Sequence, residues 1–82
     1  MSHFFYVYEL ASDRDATIRY RGVTHNLKIR LRKHNAGSCV HTSKYRPWHV
    51  EFAVAFRSEQ EARAFERYLK SGSGREFARR HF

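Results

Sequence analysis

Phe4-Phe5-Tyr6-Val7-Tyr8-Glu9-Leu10, followed by Thr17-Ile18-Arg19-Tyr20-Arg21-Gly22-Val23, decides the fold. The first segment is β-branched and aromatic on both of its alternating faces, with Phe4, Tyr6, Tyr8 and Leu10 against Phe5, Val7 and Glu9. A strand covered on both sides needs that pattern. The second segment alternates Ile18, Tyr20 and Gly22 with Arg19, Arg21 and Val23, and residues 11–16 between the two fit the break of a hairpin. A central first strand and an antiparallel second follow, and Tyr8 and Tyr20 then share a face.

Beyond the hairpin, Thr24 and Asn26 are both N-cap candidates, and residues 27–35 have helical composition that ends before Gly37, a left-handed C-cap. At about 100° per residue, Leu27, Arg30, Leu31 and His34 fall in one sector while Lys28, Arg32 and Lys33 lie outside it. That puts Arg30 and His34 on the core-facing stripe. Residues 38–48 are polar and contain the only proline, which biases Arg46 away from helix, so a surface loop is expected. Residues 49–56 alternate as a third strand, with Val50, Phe52, Val54 and Phe56 inward. Ser58-Glu59-Gln60-Glu61 is a capping box opening a second helix to about Lys70, with Ala62, Phe65 and Leu69 as its stripe and Glu66 at the stripe's edge. Gly72 and Gly74 are expected to close it before a short third helix over residues 75–81.

The 82 residues fit one small domain, and 41% hydrophobic with 16% aromatic residues can build a core, which excludes disorder. Sixteen Lys and Arg against eight Asp and Glu give a net charge of +8, and twelve of the sixteen are Arg. Guanidinium geometry suits phosphate, so a polyanion, nucleic acid above all, is the partner implied. Cys39 is the single cysteine, which excludes an intramolecular disulfide, leaves no Cys pair for zinc and fits a reducing compartment. No apolar run approaches the roughly 20 residues of a membrane span and the first ten residues do not read as a secretory signal, so a cytoplasmic protein without a membrane partner is expected.

Polar groups on apolar faces carry the chemistry, because burying an unpaired charge is costly. Arg30, His34 and Glu66, with Tyr8 and Tyr20 from the strands, bring a guanidinium, an imidazole, a carboxylate and two phenols to one cleft. Such a set suits phosphoryl chemistry, with one carboxylate and waters sufficient for Mg²⁺. Periodicity equally allows Arg30 and Glu66 to be an inter-helix ion pair and the tyrosines to be half-buried strand aromatics.

Tyr6-Val7-Tyr8, Tyr20-Arg21-Gly22, Asn26 through Asn35, Thr42-Ser43-Lys44-Tyr45-Arg46-Pro47-Trp48 and Phe65-Glu66-Arg67-Tyr68-Leu69-Lys70 onward to Phe77 together resemble the GIY-YIG nuclease superfamily, in its small, stand-alone bacterial group. The resemblance spans nearly the whole chain in ordered blocks. It implies an α+β (α/β) fold, a three-stranded antiparallel sheet flanked by helices in the order β-β-α-β-α-α. It implies a divalent-metal-dependent endonuclease that hydrolyses DNA phosphodiesters to 5′-phosphate and 3′-hydroxyl ends, with a place in DNA repair or recombination. By position, Tyr8 orients or deprotonates the attacking water, Tyr20 reaches the nucleophile or phosphate, and Arg30 stabilises the phosphate. His34 assists, and Glu66 holds Mg²⁺ or Mn²⁺. A phenol acts as a base near neutrality only if neighbouring cations lower its pKa from about 10, the role expected of Arg30 and the metal. Gly22 leaves room for close backbone approach, and Lys28, Arg32, Lys33, His41, Lys44 and Arg46 are expected on nucleic acid. Tyr6 and Arg21 replace the glycine and isoleucine of the family's name, and neither change removes a functional side chain.

A different class of function keeps this fold as a non-catalytic nucleic-acid-binding module, using those basic residues together with Arg79 and Arg80 on phosphates. In a third reading a targeting protein partner directs the chain to its DNA, a branched or flapped structure, through an exposed Tyr45 or Trp48.

Overall fold

In a computed structural model that describes residues 3–82, β1 (Phe5–Ser12) lies between β2 (Arg19–Thr24) and β3 (Trp48–Phe56) in an antiparallel sheet of order β2-β1-β3. Helices α1 (Leu27–Asn35), α2 (Val40–Ser43), α3 (Glu59–Leu69) and α4 (Gly72–His81) complete the chain. The expected α+β arrangement is present, and the expected loop over residues 38–48 contains the single helical turn α2. No helix among the described residues is long and apolar enough to cross a membrane.

The period-2 alternation of β1 creates two cores. Tyr8 and Leu10 pack with Trp48, flanked by Ile18, Tyr20, Leu27 and Leu31, beneath α1. Val7, on the other face, packs with Ala62 and Leu69 of α3 and Ala78 of α4, flanked by Phe5, Val23, Phe65 and Phe77. Full burial of a side chain such as Leu69 contributes about 1.5–3 kcal/mol. The Ser58 hydroxyl accepts the Glu61 N–H and caps α3, as the capping-box pattern requires.

The third strand departs from its expected face. In the β1–β3 register Glu9 stands opposite Phe52 and Leu10 opposite Val50, so Glu51 is the extra residue of a β-bulge. Val50 therefore packs with Tyr8 and Leu10, while Phe52 and Phe56 pack with Val7. Counting alternate residues cannot register an insertion that only the partner strand reveals.

The glycines after α3 also act differently from expectation. Lys70 ends α3 in right-handed conformation, and Ser71 caps α4 by accepting the Gly74 N–H, so Gly72 and Gly74 open a helix rather than close one. A Cβ on Gly74 would lie 1.7 Å from the Tyr68 carbonyl oxygen, because the first turn of α4 rests on the last turn of α3. Gly37 is the left-handed C-cap expected, at φ 82°, with the Ser38 N–H donating to the Lys33 carbonyl at 3.1 Å.

These contacts separate two glycines that stand two residues apart. Gly74→Ala is expected to destabilise the fold by about 1–3 kcal/mol through overpacking. Gly72→Ala, with nothing within 4 Å of the new Cβ, is expected to stabilise it by about 0.5 kcal/mol. Urea unfolding of both variants checks the pair.

Candidate active site

Three of the expected catalytic residues, Tyr8, Tyr20 and His34, meet on the α1 side of the sheet. Tyr8 stands opposite Gly22 in the β1–β2 register, and a Cβ on Gly22 would fall 2.7 Å from the Tyr8 hydroxyl. The missing side chain lets the phenol lie across β2, which gives Gly22 a role inside the protein. α1 starts at Asn26, whose side chain accepts the Ile29 N–H, and its last turn carries His34 onto Tyr8. The Tyr20 ring packs on His34 at 4.9 Å between centroids and on Tyr8 at 6.4 Å.

The proton positions follow from the partners. The Thr42 hydroxyl donates to the Cys39 carbonyl at 3.4 Å, so it accepts from His34 Nδ1 at 2.9 Å. His34 Nε2 is then unprotonated and accepts from the Tyr8 hydroxyl at 3.3 Å. Tyr8 is 1% and His34 2% exposed, while Tyr20 is half-buried and outermost of the three rings. Burial, then the neighbouring Tyr20, pushes the Tyr8 pKa up to about 12 against the pull of Arg30, with Cys39 and Glu66 adding smaller upward contributions. Arg30 acts in the expected direction, but burial outweighs its pull. Burial, assisted by Arg30, holds the His34 pKa below the usual imidazole value and keeps the ring neutral at pH 7.

Arg30 is exposed, a correction to its expected place on the core-facing stripe. In α1 only Leu27, Leu31 and His34 reach the sheet side, and the rim position keeps the guanidinium solvated, which costs less than burying it. Its charge still reaches Tyr8 and His34. Glu66 is half-buried on α3, 16% exposed at the side chain, and pairs with Lys70 Nζ at 2.7 Å. Among the described residues no group of three His, Cys, Asp or Glu side chains could enclose a metal ion. A lone carboxylate such as Glu66 nevertheless suits Mg²⁺, which takes oxygen ligands and keeps part of its water shell.

Lys28, Arg32, Lys33, His41, Lys44 and Arg46 are all exposed, a basic rim on α1, α2 and the segment after it. Trp48, expected as an exposed docking residue, is 3% exposed. Its indole donates to the Thr42 carbonyl at 2.9 Å and its backbone N–H to the Asn35 side chain at 2.6 Å, so it is a strut that holds α2 against α1. Sequence reasoning missed two members of the site's support. Thr42 gave no signal, because a lone threonine in a polar stretch is indistinguishable from its neighbours. Glu9 did give one: a carboxylate on a covered strand face, with Arg19 and Arg21 on the matching face of the next strand. The structure joins them at 2.7 and 2.6 Å.

With this geometry in place, the chain matches the GIY-YIG catalytic domain over residues 4–80. It is similar to a UPF0213 protein of Bacillus licheniformis, 37% identical over 70 residues that cover 84% of this chain and 68% of that protein. The chain belongs to the GIY-YIG family, a family of nucleases.

Two outcomes follow for His34 and its partner. Thr42→Val leaves a buried imidazole N–H without an acceptor and is expected to cost about 1–3 kcal/mol in urea unfolding. Because the native His34 pKa lies below the unfolded value of about 6.5, the unfolded chain takes up the proton first and stability falls as pH drops below that value. The same unfolding measured at pH 7.5 and 5.5 should show a smaller loss in His34→Gln than in wild type.

Proposed function

We propose that this GIY-YIG protein is a divalent-metal-dependent endonuclease that hydrolyses DNA phosphodiesters, and that Tyr8 and His34 work as a proton relay. The observation that carries the reading is the chain from Tyr8 hydroxyl to neutral His34 to Thr42, beside the charges of Arg30 and Glu66. A phenol at about 12 is a poor base alone. With His34 Nε2 as acceptor it never has to become a phenolate: the attacking water gives its proton to the Tyr8 oxygen as the Tyr8 proton passes to His34. The bond from phosphorus to O3′ breaks, O3′ takes a proton from solvent, and the new oxygen stays on the 5′-phosphate. Arg30 faces the charge that develops on the phosphate, at the rim where a strand can reach it. Glu66 is the residue that would hold Mg²⁺ or Mn²⁺, which when bound supplies further positive charge against that phosphate. Tyr8 is 1% exposed, so substrate binding has to shift the groups packed on it before the Tyr8 oxygen meets water.

That burial, with Glu66 already paired to Lys70, is what favours the second reading, a non-catalytic nucleic-acid-binding module of the same fold. A nicking assay on supercoiled plasmid and flapped oligonucleotides, with Mg²⁺, Mn²⁺ or chelator, separates the two. Cleavage by wild type that chelator abolishes, lost in Glu66→Gln and reduced by about 10²–10⁴-fold in Tyr8→Phe, is the expected result. Tight binding with no cleavage by any form would replace the nuclease with the binding module.

A further inference from the structure

The opposite side of the sheet from Tyr8 carries a second cationic site. Glu9, Arg19 and Arg21 share that face, and Arg75, Arg79 and Phe82 close over them to form a concavity of about 320 Å³. Glu9 is 4% exposed and both its oxygens are taken, Oε2 by Arg19 Nη1 at 2.7 Å and Oε1 by Arg21 Nε at 2.6 Å. Arg21 Nη1 also donates to the Leu69 carbonyl at 2.9 Å and Arg19 Nε to the Ala16 carbonyl at 2.7 Å, which fixes both guanidinium planes. One carboxylate neutralises only one of the two. Arg75 has no ion pair among the described residues, and Arg79 shares Glu76 with Arg80. The concavity therefore holds an excess of positive charge, with Arg19 and Arg21 fixed at its floor by a buried anion and the Arg75 guanidinium, which suits phosphate oxygens, at its rim.

We propose that this pocket holds phosphates of a single-stranded arm of the nucleic acid on which the protein acts, an inference that rests on the functional reading above. Two observations select a single strand. The Phe82 ring stacks on Phe52 at 4.0 Å and 13° yet stays 50% exposed, so a base can continue the stack, and duplex bases are not free to do so. The pocket and Tyr8 also lie on opposite faces of the sheet, in a molecule 18 Å across its shortest axis. A straight duplex on the Tyr8 face does not reach it, whereas a flexible strand rounding the sheet edge does.

The test measures binding of a fluorescent duplex with a single-stranded flap, and of the same duplex without the flap, to wild type and to Arg75→Gln/Arg79→Gln across a salt series. Both arginines are exposed, so the variant should keep the wild-type melting temperature. The expected result is about a tenfold loss of affinity for the flapped substrate and a salt slope shallower by about 1.4, with blunt-duplex affinity unchanged. Equal losses on both substrates, or no loss on either, overturn the pocket while leaving the functional reading intact. A wild type that binds neither substrate overturns the functional reading itself.

Discussion

Glu9 sits in the middle of a strand buried on both faces, and its carboxylate is tolerable there only because Arg19 and Arg21 stand on the facing positions of β2. Breaking such a buried pair costs about 3–5 kcal/mol, since an uncompensated charge is left behind. A slip of β1 by one residue would do so, turning Glu9 toward His34 and Tyr8 toward α3. The ion pair thus works as a register lock. Every element that builds the candidate site depends on that register: the Gly22 gap under Tyr8, the seat of Trp48 beside Leu10, and the cover of α3 over Val7.

The same double burial shapes the chemistry. Enclosing Tyr8 raises its pKa, and enclosing His34 lowers its own, so the pair is held as neutral phenol and neutral imidazole with a defined direction of hydrogen bonding. Thr42 sets that direction, and it is held by a one-turn helix that Trp48 clamps from below. Cations in turn are distributed by cost: Arg19 and Arg21 share the buried anion, while Arg30 and the lysines of α1 remain at the solvated rim.

Much of the fold was legible in the sequence, because strand and helix periods are local properties. The double-sided apolar run of β1 marked it as central, the strict alternation of β3 marked a strand, and the Ser58 box and Gly37 marked helix ends that the structure places at those positions. The site was legible as a set of residue types, Tyr8, Tyr20, Arg30, His34 and Glu66, of which the structure brings Tyr8, Tyr20 and His34 into contact. Glu9 was legible in principle, as an acid opposite two arginines.

Tertiary structure alone decided the rest, for one physical reason: the free energy of a side chain depends on what packs against it, and packing partners are distant in sequence. The bulge at Glu51 exists only relative to β1 and moved Val50 to the other core. Gly74 opens α4 because α3 presses on it, and Trp48 is buried because Thr42 and Asn35 reach it. Arg30 stays at the rim because α1 turns only a narrow stripe to the sheet. The pKa of Tyr8 stands high because enclosure outweighs the pull of one exposed guanidinium, a balance no residue pattern contains. Sequence determined which groups are available and which elements carry them; the fold decided which are dry, which are paired, and so which way each proton points.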